Sequence, residues 1–75
     1  MTKVTYLVDA SHPLPQYTFH NTPVKVTKEP EAGGGGFYAD HPKLGCGRIY
    51  SAPESAIRGL FANHGYKVTK MAKAD

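Results

Sequence analysis

The sequence predicts a single α+β domain over residues 1–75: a small antiparallel β-sheet of about four strands with one helix packed on it, in the order ββ(β)αβ. Several segments rich in β-branched and aromatic residues alternate apolar with polar side chains, which is the pattern of half-buried strands. One later segment repeats apolar residues at the helical period. Turns that contain proline and glycine separate these segments, and a chain of this length has room for one domain.

The strand segments share a recurring tripeptide. Lys-Val-Thr occurs at residues 3–5, 25–27 and 67–69, and alternation turns each valine toward the core and each lysine toward solvent. Lysines on edge strands also discourage aggregation between sheets. The predicted strands are residues 3–9, 16–28 (one bent strand, with Tyr17 and Phe19 on one face, or a tight hairpin), 37–40, 48–51 and 66–71.

The helix is expected to begin near residue 52 and to end at Asn63-His64-Gly65. Ser51 and Glu54 have the spacing of a capping box, and Pro53 suits the first turn, where its missing N–H has no partner to lose. Gly59 lowers helix propensity by about 1 kcal/mol, but its missing side chain would allow close packing. Gly65 suits a left-handed C-cap. The buried face is predicted to consist of Ala56, Ile57, Leu60, Phe61 and His64.

The glycine-rich stretch AGGGGFYADHPKLGCG, residues 32–47, does not have the pattern of a phosphate-binding loop. Such loops follow a strand and open a helix, and the P-loop adds Gly-Lys-Ser/Thr. Here the glycine run precedes a strand, and the helix begins too far along the chain to direct its N-terminus at residues 33–36. We therefore predict a flexible connection at residues 30–36, and a frayed tail at residues 72–75.

The charge balance is mildly basic. Nine Lys and Arg against six Asp and Glu give a net charge of +3, which permits contact with nucleic acid without demanding it. No apolar run is long enough for a signal peptide or a membrane span. A single cysteine excludes a disulfide within the chain and is typical of a reducing compartment. We expect a cytoplasmic protein with no membrane partner.

Cys46 is the candidate nucleophile, with His41 or His64 as its base. No orienting group or oxyanion hole accompanies it in the sequence, so we predict that Cys46 is a small buried core residue. His41, Cys46 and His64 could also bind a metal with Asp40 as a fourth ligand, but the paired ligand spacing typical of zinc sites is absent. We expect no catalytic residue, no metal and no cofactor.

Basic residues on the strands offer an interaction surface of one of two kinds. A nucleic-acid interface would need outward-facing aromatic side chains that stack on bases. The other interpretation is that the aromatic residues form the core, and the weak net charge favours it. The basic candidates are Lys25, Lys28, Lys67, Lys70, Lys73, Arg48 and Arg58, and the aromatic candidates are Tyr17, Phe19, Phe37, Tyr38 and Tyr50.

The segment GGFYADHPKLGCGRIYSAPESAIRGL, residues 35–60, resembles the core of HicB-like antitoxin domains. Residues 37–40 are similar to that family's Gly-Tyr-x-Ala strand, residues 41–46 to its x-Pro-x-Leu-x-Gly-Cys turn, and residues 51–56 to its Thr-x-Glu-Glu-Ala helix start. The turn is one residue shorter here, and the family's Gly-Asp-Thr is replaced by Tyr-Ser-Ala. The resemblance implies a βββαβ fold and a domain that occludes another protein without catalysis.

We therefore predict a small non-enzymatic inhibitor or antitoxin-like module that binds one protein partner through a sheet edge and an exposed basic face. A phage-encoded inhibitor of a host defence is one version of this hypothesis. The alternative is a nucleic-acid-binding module that uses the Lys/Arg face. A thin core also makes a homodimer by edge pairing an option. The predicted partner-binding residues are Lys25, Lys28, Tyr38, Arg48, Lys67 and Lys70.

Overall fold

A computed structural model describes residues 2–30, 32 and 34–74 of the chain. These residues form one antiparallel sheet and one α-helix, which confirms the α+β class. A turn of 3-10 helix at Pro15–Tyr17 lies between the first two strands. The elements in chain order are β1 (Thr2–Ser11), β2 (Phe19–Lys28), β3 (Phe37–His41), β4 (Gly45–Cys46), α1 (Pro53–Ala62) and β5 (Lys67–Lys73).

The described part of the sheet has five strands where the sequence predicted about four, in the spatial order β4-β3-β2-β1-β5. The chain order is therefore ββββαβ, and α1 carries the chain from one edge of the sheet to the other. The predicted strand at 48–51 is misplaced. Pairing with β3 begins earlier, at Gly45 opposite His41, because a tight turn returns the chain along β3 at once.

The segment after β4 continues along β3 with one irregularity. Gly47 N–H donates to Ala39 O at 2.8 Å, and Tyr50 exchanges two backbone hydrogen bonds of 2.7 Å with Phe37. Two residues, 48 and 49, therefore lie opposite the single Tyr38. This arrangement is a bulge, which breaks the ladder and is the reason that no regular strand forms at the predicted position.

β2 is one continuous strand and not a hairpin, and it begins at Phe19. Tyr17 does not share a strand face with Phe19, since it lies in the 3-10 turn with its side chain 51% exposed. Pro23 lies in the middle of β2, although proline usually interrupts a central strand. β3 pairs only with Lys25–Lys28, so the chain at Pro23 has no partner strand on that side and its missing N–H breaks no ladder bond.

Both neighbours of β1 carry one extra residue at the level of Asp9. On β2, His20 and Asn21 together lie opposite Asp9, and on β5 the extra residue is Thr69. Asn21 has a φ of 49°, and its N–H donates to Asp9 Oδ1 at 2.7 Å. Thr69 Oγ1 donates to Asp9 O at 3.2 Å. Because bulges increase local twist, two bulges at one level bend the sheet there.

The core lies between α1 and one face of the sheet. Helix residues at spacings of one, three and four supply a continuous apolar stripe, and each fully buried Val, Leu, Ile or Phe side chain contributes about 1.5–3 kcal/mol. His64, which the sequence placed on this stripe, lies beyond the end of α1 and is exposed. The buried apolar residues are Ala56, Ile57, Leu60 and Phe61 of α1, and Val8, Ala10, Val24, Val26, Ala39 and Val68 of the sheet.

The sequence predicted the C-terminal cap of α1 but not its N-terminal cap. The predicted capping box does not form: Ala52 is the N-cap and makes no side-chain hydrogen bond, while Pro53 opens the helix as expected. At the other end Gly65 has a φ of 82°, Tyr66 N–H donates to Phe61 O at 2.9 Å, and Gly65 N–H donates to Ala62 O at 3.1 Å. This pair of bonds is a Schellman motif, which confirms the glycine C-cap.

Backbone hydrogen bonds join described residues at the two ends of the glycine connection, and β5 extends into the segment predicted as a tail. Across the connection, Glu29 N–H donates to Gly36 O at 2.9 Å and Gly35 N–H donates to Pro30 O at 3.0 Å. Ala72 and Lys73, assigned to a frayed tail, extend β5 instead. Residues 31 and 33 of the connection and residue 75 of the tail lie outside the described residues.

Gly59 allows the Tyr50 ring to lie against α1. A Cβ atom at Gly59 would overlap the hydroxyl and ring carbons of Tyr50. The backbone of Tyr50 is held to Phe37 by two hydrogen bonds of 2.7 Å, so relief of this overlap would require the ring to rotate away from α1 and lose its contacts there. The predicted close packing at Gly59 therefore exists, and its partner is a side chain from the segment that precedes the helix.

We expect Gly59→Ala to destabilise the protein. Overpacking costs about 1–3 kcal/mol, whereas the gain in helix propensity is about 1 kcal/mol. In a Tyr50→Ala background the clash is gone, so the same substitution should stabilise by up to about 1 kcal/mol. Urea unfolding of the four proteins in this double-mutant cycle measures both values. A stabilising Gly59→Ala in the otherwise unchanged chain would contradict the described packing.

Candidate functional site

The face of the sheet opposite α1 is covered by none of the described elements, and we call it the open face. Side chains alternate along each strand, so the residues that flank the core residues point to this side. The three Lys-Val-Thr repeats follow the expected pattern, since Val26 and Val68 are buried, Val4 is half-buried, and the lysine before each valine is exposed. By register, the open face carries Lys3, Thr5, Leu7, Asp9, Pro23, Lys25, Thr27, Tyr38, Asp40, Cys46, Lys67 and Lys70.

The open face has mixed charge with an excess of lysine. Lys25 on β2 lies directly opposite Asp40 on β3, and Lys70 on β5 lies opposite Asp9 on β1. Opposite charges at facing positions attract, so each carboxylate partly neutralises one lysine. Lys67 lies opposite Ser11 and has no acid at its cross-strand position. Lys3, opposite Thr27, likewise has no acid at its cross-strand position, so Lys3 and Lys67 are the lysines of this face without a facing carboxylate.

The structure separates the six residues predicted to bind a partner into three places. Lys25, Tyr38, Lys67 and Lys70 share the open face, with Tyr38 and Lys25 level with the start of β1 and Lys67 and Lys70 level with its end. Lys28 lies on the α1 side of the sheet, beside Phe37. Arg48 is exposed in the segment after β4, at the opposite edge from β5.

A concave apolar groove also exists on the α1 side, at the end of the sheet that the short helix does not reach. Its volume is about 260 Å³. The hydroxyl of Tyr6 lies there in reach of the Glu54 charge, and desolvation followed by that charge raises the pKa of Tyr6. The lining residues are Val4, Tyr6, Val26, Lys28, Phe37 and Pro53.

Cys46 is exposed, which contradicts the prediction of a buried core residue. It lies in the edge strand β4, opposite Asp40, and alternation turns it to the open face instead of toward α1. Desolvation against the sheet, the Asp40 charge and a hydrogen bond to Asp40 all raise the pKa of the thiol. A catalytic cysteine needs the opposite shift, because the thiolate is the nucleophile.

His41 is buried, only 3% exposed, and both of its ring nitrogens are engaged. Lys43 N–H donates to Nδ1 at 3.1 Å, so Nδ1 carries no proton and Nε2–H donates to Thr22 Oγ1 at 2.7 Å. Burial and then the Lys43 charge lower the pKa of His41, against a smaller opposing effect of Asp40. The ring packs against Phe19 and Phe61, with centroids 4.9 and 5.9 Å away.

The arrangement of these groups does not form the nucleophile or metal site considered from the sequence. His41 points to the α1 side while Cys46 and Asp40 point to the open face, and His64 is exposed beyond α1. Within residues 2–30, 32 and 34–74, no group of three or more His, Cys, Asp and Glu side chains is placed to hold a metal ion.

The aromatic residues mostly pack inside the molecule. Phe19, Phe37 and Tyr50 are half-buried against the core, and Tyr17 is exposed in the 3-10 turn. The open face thus carries a single described aromatic side chain, that of Tyr38. One aromatic cluster was not predicted from the sequence. The His12 ring lies edge-on to the Tyr17 ring and tilted against the Tyr66 ring, with its centroid 5.4 and 4.8 Å from theirs.

Comparison of the chain with protein-family models, with curated proteins and with solved structures finds no match. None of the helices in the described part is long and apolar enough to cross a membrane. The site is therefore interpreted from its own geometry.

We expect Asp40→Asn to make the Cys46 thiol more reactive. Removing the adjacent negative charge lowers the thiol pKa and increases the thiolate fraction, so alkylation by iodoacetamide at pH 8 should become faster. Mass spectrometry over time measures the rate. Glu54→Gln, which removes a charge from α1, is the matched control and should leave the rate unchanged. An unchanged or slower rate in Asp40→Asn would show that the two side chains do not interact.

We expect the stability to depend on pH through His41. Because the pKa of His41 is lowered, the unfolded chain binds more protons than the folded protein below about pH 6.5, the ordinary histidine value. The unfolding free energy should be fully retained above that pH and should decrease as the pH falls from about 6.5 toward 5.5.

Denaturant unfolding of the unchanged protein and of His41→Gln between pH 7.5 and 5.5 tests this dependence. The substitution should flatten the pH profile, whereas His64→Gln, at an exposed position, should keep it. Equal slopes for the unchanged protein and His41→Gln would mean that the buried imidazole accepts a proton without cost.

Proposed function

We propose that this protein is a small non-enzymatic module that binds one protein partner through its open face and thereby occludes that partner. The observation that carries the proposal is the position of Lys25, Lys67 and Lys70 together with Tyr38 on a sheet face that no described element covers. Tyrosine provides apolar contact area and a hydroxyl at low entropic cost, and the lysines select a partner with acidic groups.

A protein partner fits this face better than a nucleic acid does. Carboxylates of Asp9 and Asp40 lie among the lysines, where they would repel phosphates. Sequence-independent binding of single strands uses several aromatic side chains as stacking platforms, and Phe19, Phe37 and Tyr50 pack into the interior instead. An acidic protein surface can match an alternation of lysine and carboxylate, because its own side chains vary in sign.

The state of the two reactive groups supports a function without catalysis. The pKa of Cys46 is raised, which keeps the thiol protonated near neutral pH. The two ring nitrogens of His41 are used by Lys43 and Thr22 in a buried site, so the imidazole has no nitrogen left for a substrate. A lone unactivated thiol also suits the reducing cytoplasm, which we include in the proposal.

The resemblance to HicB-like antitoxin domains gives this proposal one concrete form, in which the occluded partner is a toxin. A phage-encoded inhibitor of a host enzyme is another form with the same mechanism. Both predict a single protein target that binds stoichiometrically, and the same measurement tests both.

The experiment is an affinity purification from nuclease-treated lysate, followed by binding measurements with the purified captured protein. Lys67→Glu/Lys70→Glu reverses two charges on the open face. Lys43→Glu/Arg58→Glu changes the net charge equally at exposed positions away from it and serves as the control. Circular dichroism verifies that both variants are folded.

We expect the unchanged protein and the control to bind one partner with similar affinity, and the open-face variant to bind it at least about tenfold more weakly, since losing one good charge interaction costs about 1.4 kcal/mol or more. Recovery that disappears with nuclease treatment would favour the nucleic-acid alternative. Equal binding by all three proteins would show that the open face is not the surface that binds the partner.

A further inference from the structure

β5 is a seven-residue edge strand with one side unpaired among the described residues. It pairs with β1 on both sides of a bulge at Thr69, and the sheet ends there. The opposite edge is shorter, because β4 has only two residues and the bulged segment after it interrupts pairing. The stretch Lys70–Lys73 of β5, beyond the bulge, is the regular edge that can accept another strand.

The register identifies the backbone groups that β5 offers. Ala74 N–H donates to Thr5 O at 2.8 Å, so residues at alternate positions from Ala74, including Ala72, direct their backbone groups toward β1. Met71 and Lys73 lie between these positions and direct their N–H and C=O groups outward. These outward groups can bond to an added strand without loss of any bond within the protein.

The charges along β5 disfavour one occupant and favour another. Lys67, Lys70 and Lys73 are all exposed; Lys67 and Lys70 face the open side, while Lys73, opposite Tyr6, faces the α1 side. Antiparallel pairing of β5 with a second copy about Lys70 would place Lys70 opposite Lys70, and like charges at facing positions are destabilising. The homodimer in this register is therefore disfavoured, whereas acidic side chains on one face of an added strand would match Lys67 and Lys70.

We propose that the outer edge of β5 binds an extended acidic segment of the protein partner by strand addition, which makes that segment a sixth strand of the sheet. This inference rests on the proposed function and specifies its partner chemistry. Backbone hydrogen bonds hold the added strand, and Lys67 and Lys70 select acidic side chains on its open-face side. The side chains of Val68 and Met71 pack against the core, so β5 stays in place when a strand is added to its outer edge.

Three synthetic peptides test the proposal by two-dimensional ¹H–¹⁵N NMR titration of the full chain. Ac-EVEVEVE-NH₂ is acidic and favours a strand, Ac-KVKVKVK-NH₂ reverses its charge, and Ac-EVEPEVE-NH₂ keeps the charge but cannot form a continuous ladder. We expect saturable shifts of the Met71 and Lys73 amides and slowed hydrogen exchange there with the first peptide. The other two should bind at least about tenfold more weakly, since each lacks one of the two required properties.

A matched pair of variants tests the backbone contribution. Lys73→Pro removes one outward N–H, whereas Lys73→Gln removes the same charge and keeps that N–H. Both should remain folded, because neither loses a bond to β1. Strand addition predicts weaker binding of the acidic peptide to Lys73→Pro than to Lys73→Gln.

Equal binding of the acidic peptides with and without proline would overturn the proposal, because charge alone would then explain binding. Absence of acidic-peptide binding, together with self-association of Lys67→Thr/Lys70→Thr/Lys73→Thr, would show that the lysines only protect the edge from aggregation, and would also overturn it. If the captured partner binds Lys73→Pro and Lys73→Gln equally but not the open-face variant, the edge inference fails and the proposed function stands.

Discussion

The structure depends on one constraint: a single ten-residue helix covers a sheet whose two longest strands also have ten residues. A helix of that length spans about 15 Å, whereas a strand spans about 33 Å. α1 can therefore close a core over only part of one face, and it does so with Ala56, Ile57, Leu60 and Phe61. The groove beyond the helix follows from this mismatch. The open face and the outer edge of β5 stay uncovered because the described residues contain one helix and no sixth strand.

Two sets of polar interactions, at Asp9 and at His41, shape the sheet beneath that short helix. At Asp9, one residue anchors bulges in both neighbouring strands, so the sheet bends where the helix packs. At the buried end of β3, His41 holds Thr22 and the turn at Lys43 through its two ring nitrogens. A buried imidazole with both nitrogens satisfied costs little, but it must stay neutral, since a charge there would be desolvated. His41 is thus a structural residue although its type suggested chemistry.

The exposed surfaces have different physical characters, and this difference guides the functional interpretation. The open face combines lysines with carboxylates in facing positions, which suits a protein surface more than a phosphate backbone. The β5 edge offers outward backbone groups beside Lys67 and Lys70 of the open face, which suits an acidic strand. The apolar groove is lined by five uncharged side chains and Lys28. It can accept a large apolar group.

The sequence by itself determined the α+β class, the helix with its Pro53 start and Gly65 end, and the inward valines and outward lysines, because these depend on local periodicity and on backbone preferences of single residues. It did not determine the fifth strand, the continuity of β2 through Pro23, or the unused capping box at Ser51. Those features depend on which strand lies beside which, and pairing partners are distant in the chain. The same reason applies to the site: only the register showed that Cys46 is exposed beside Asp40, that His41 faces the core, and that Lys25, Lys67 and Lys70 share one face while Lys28 does not.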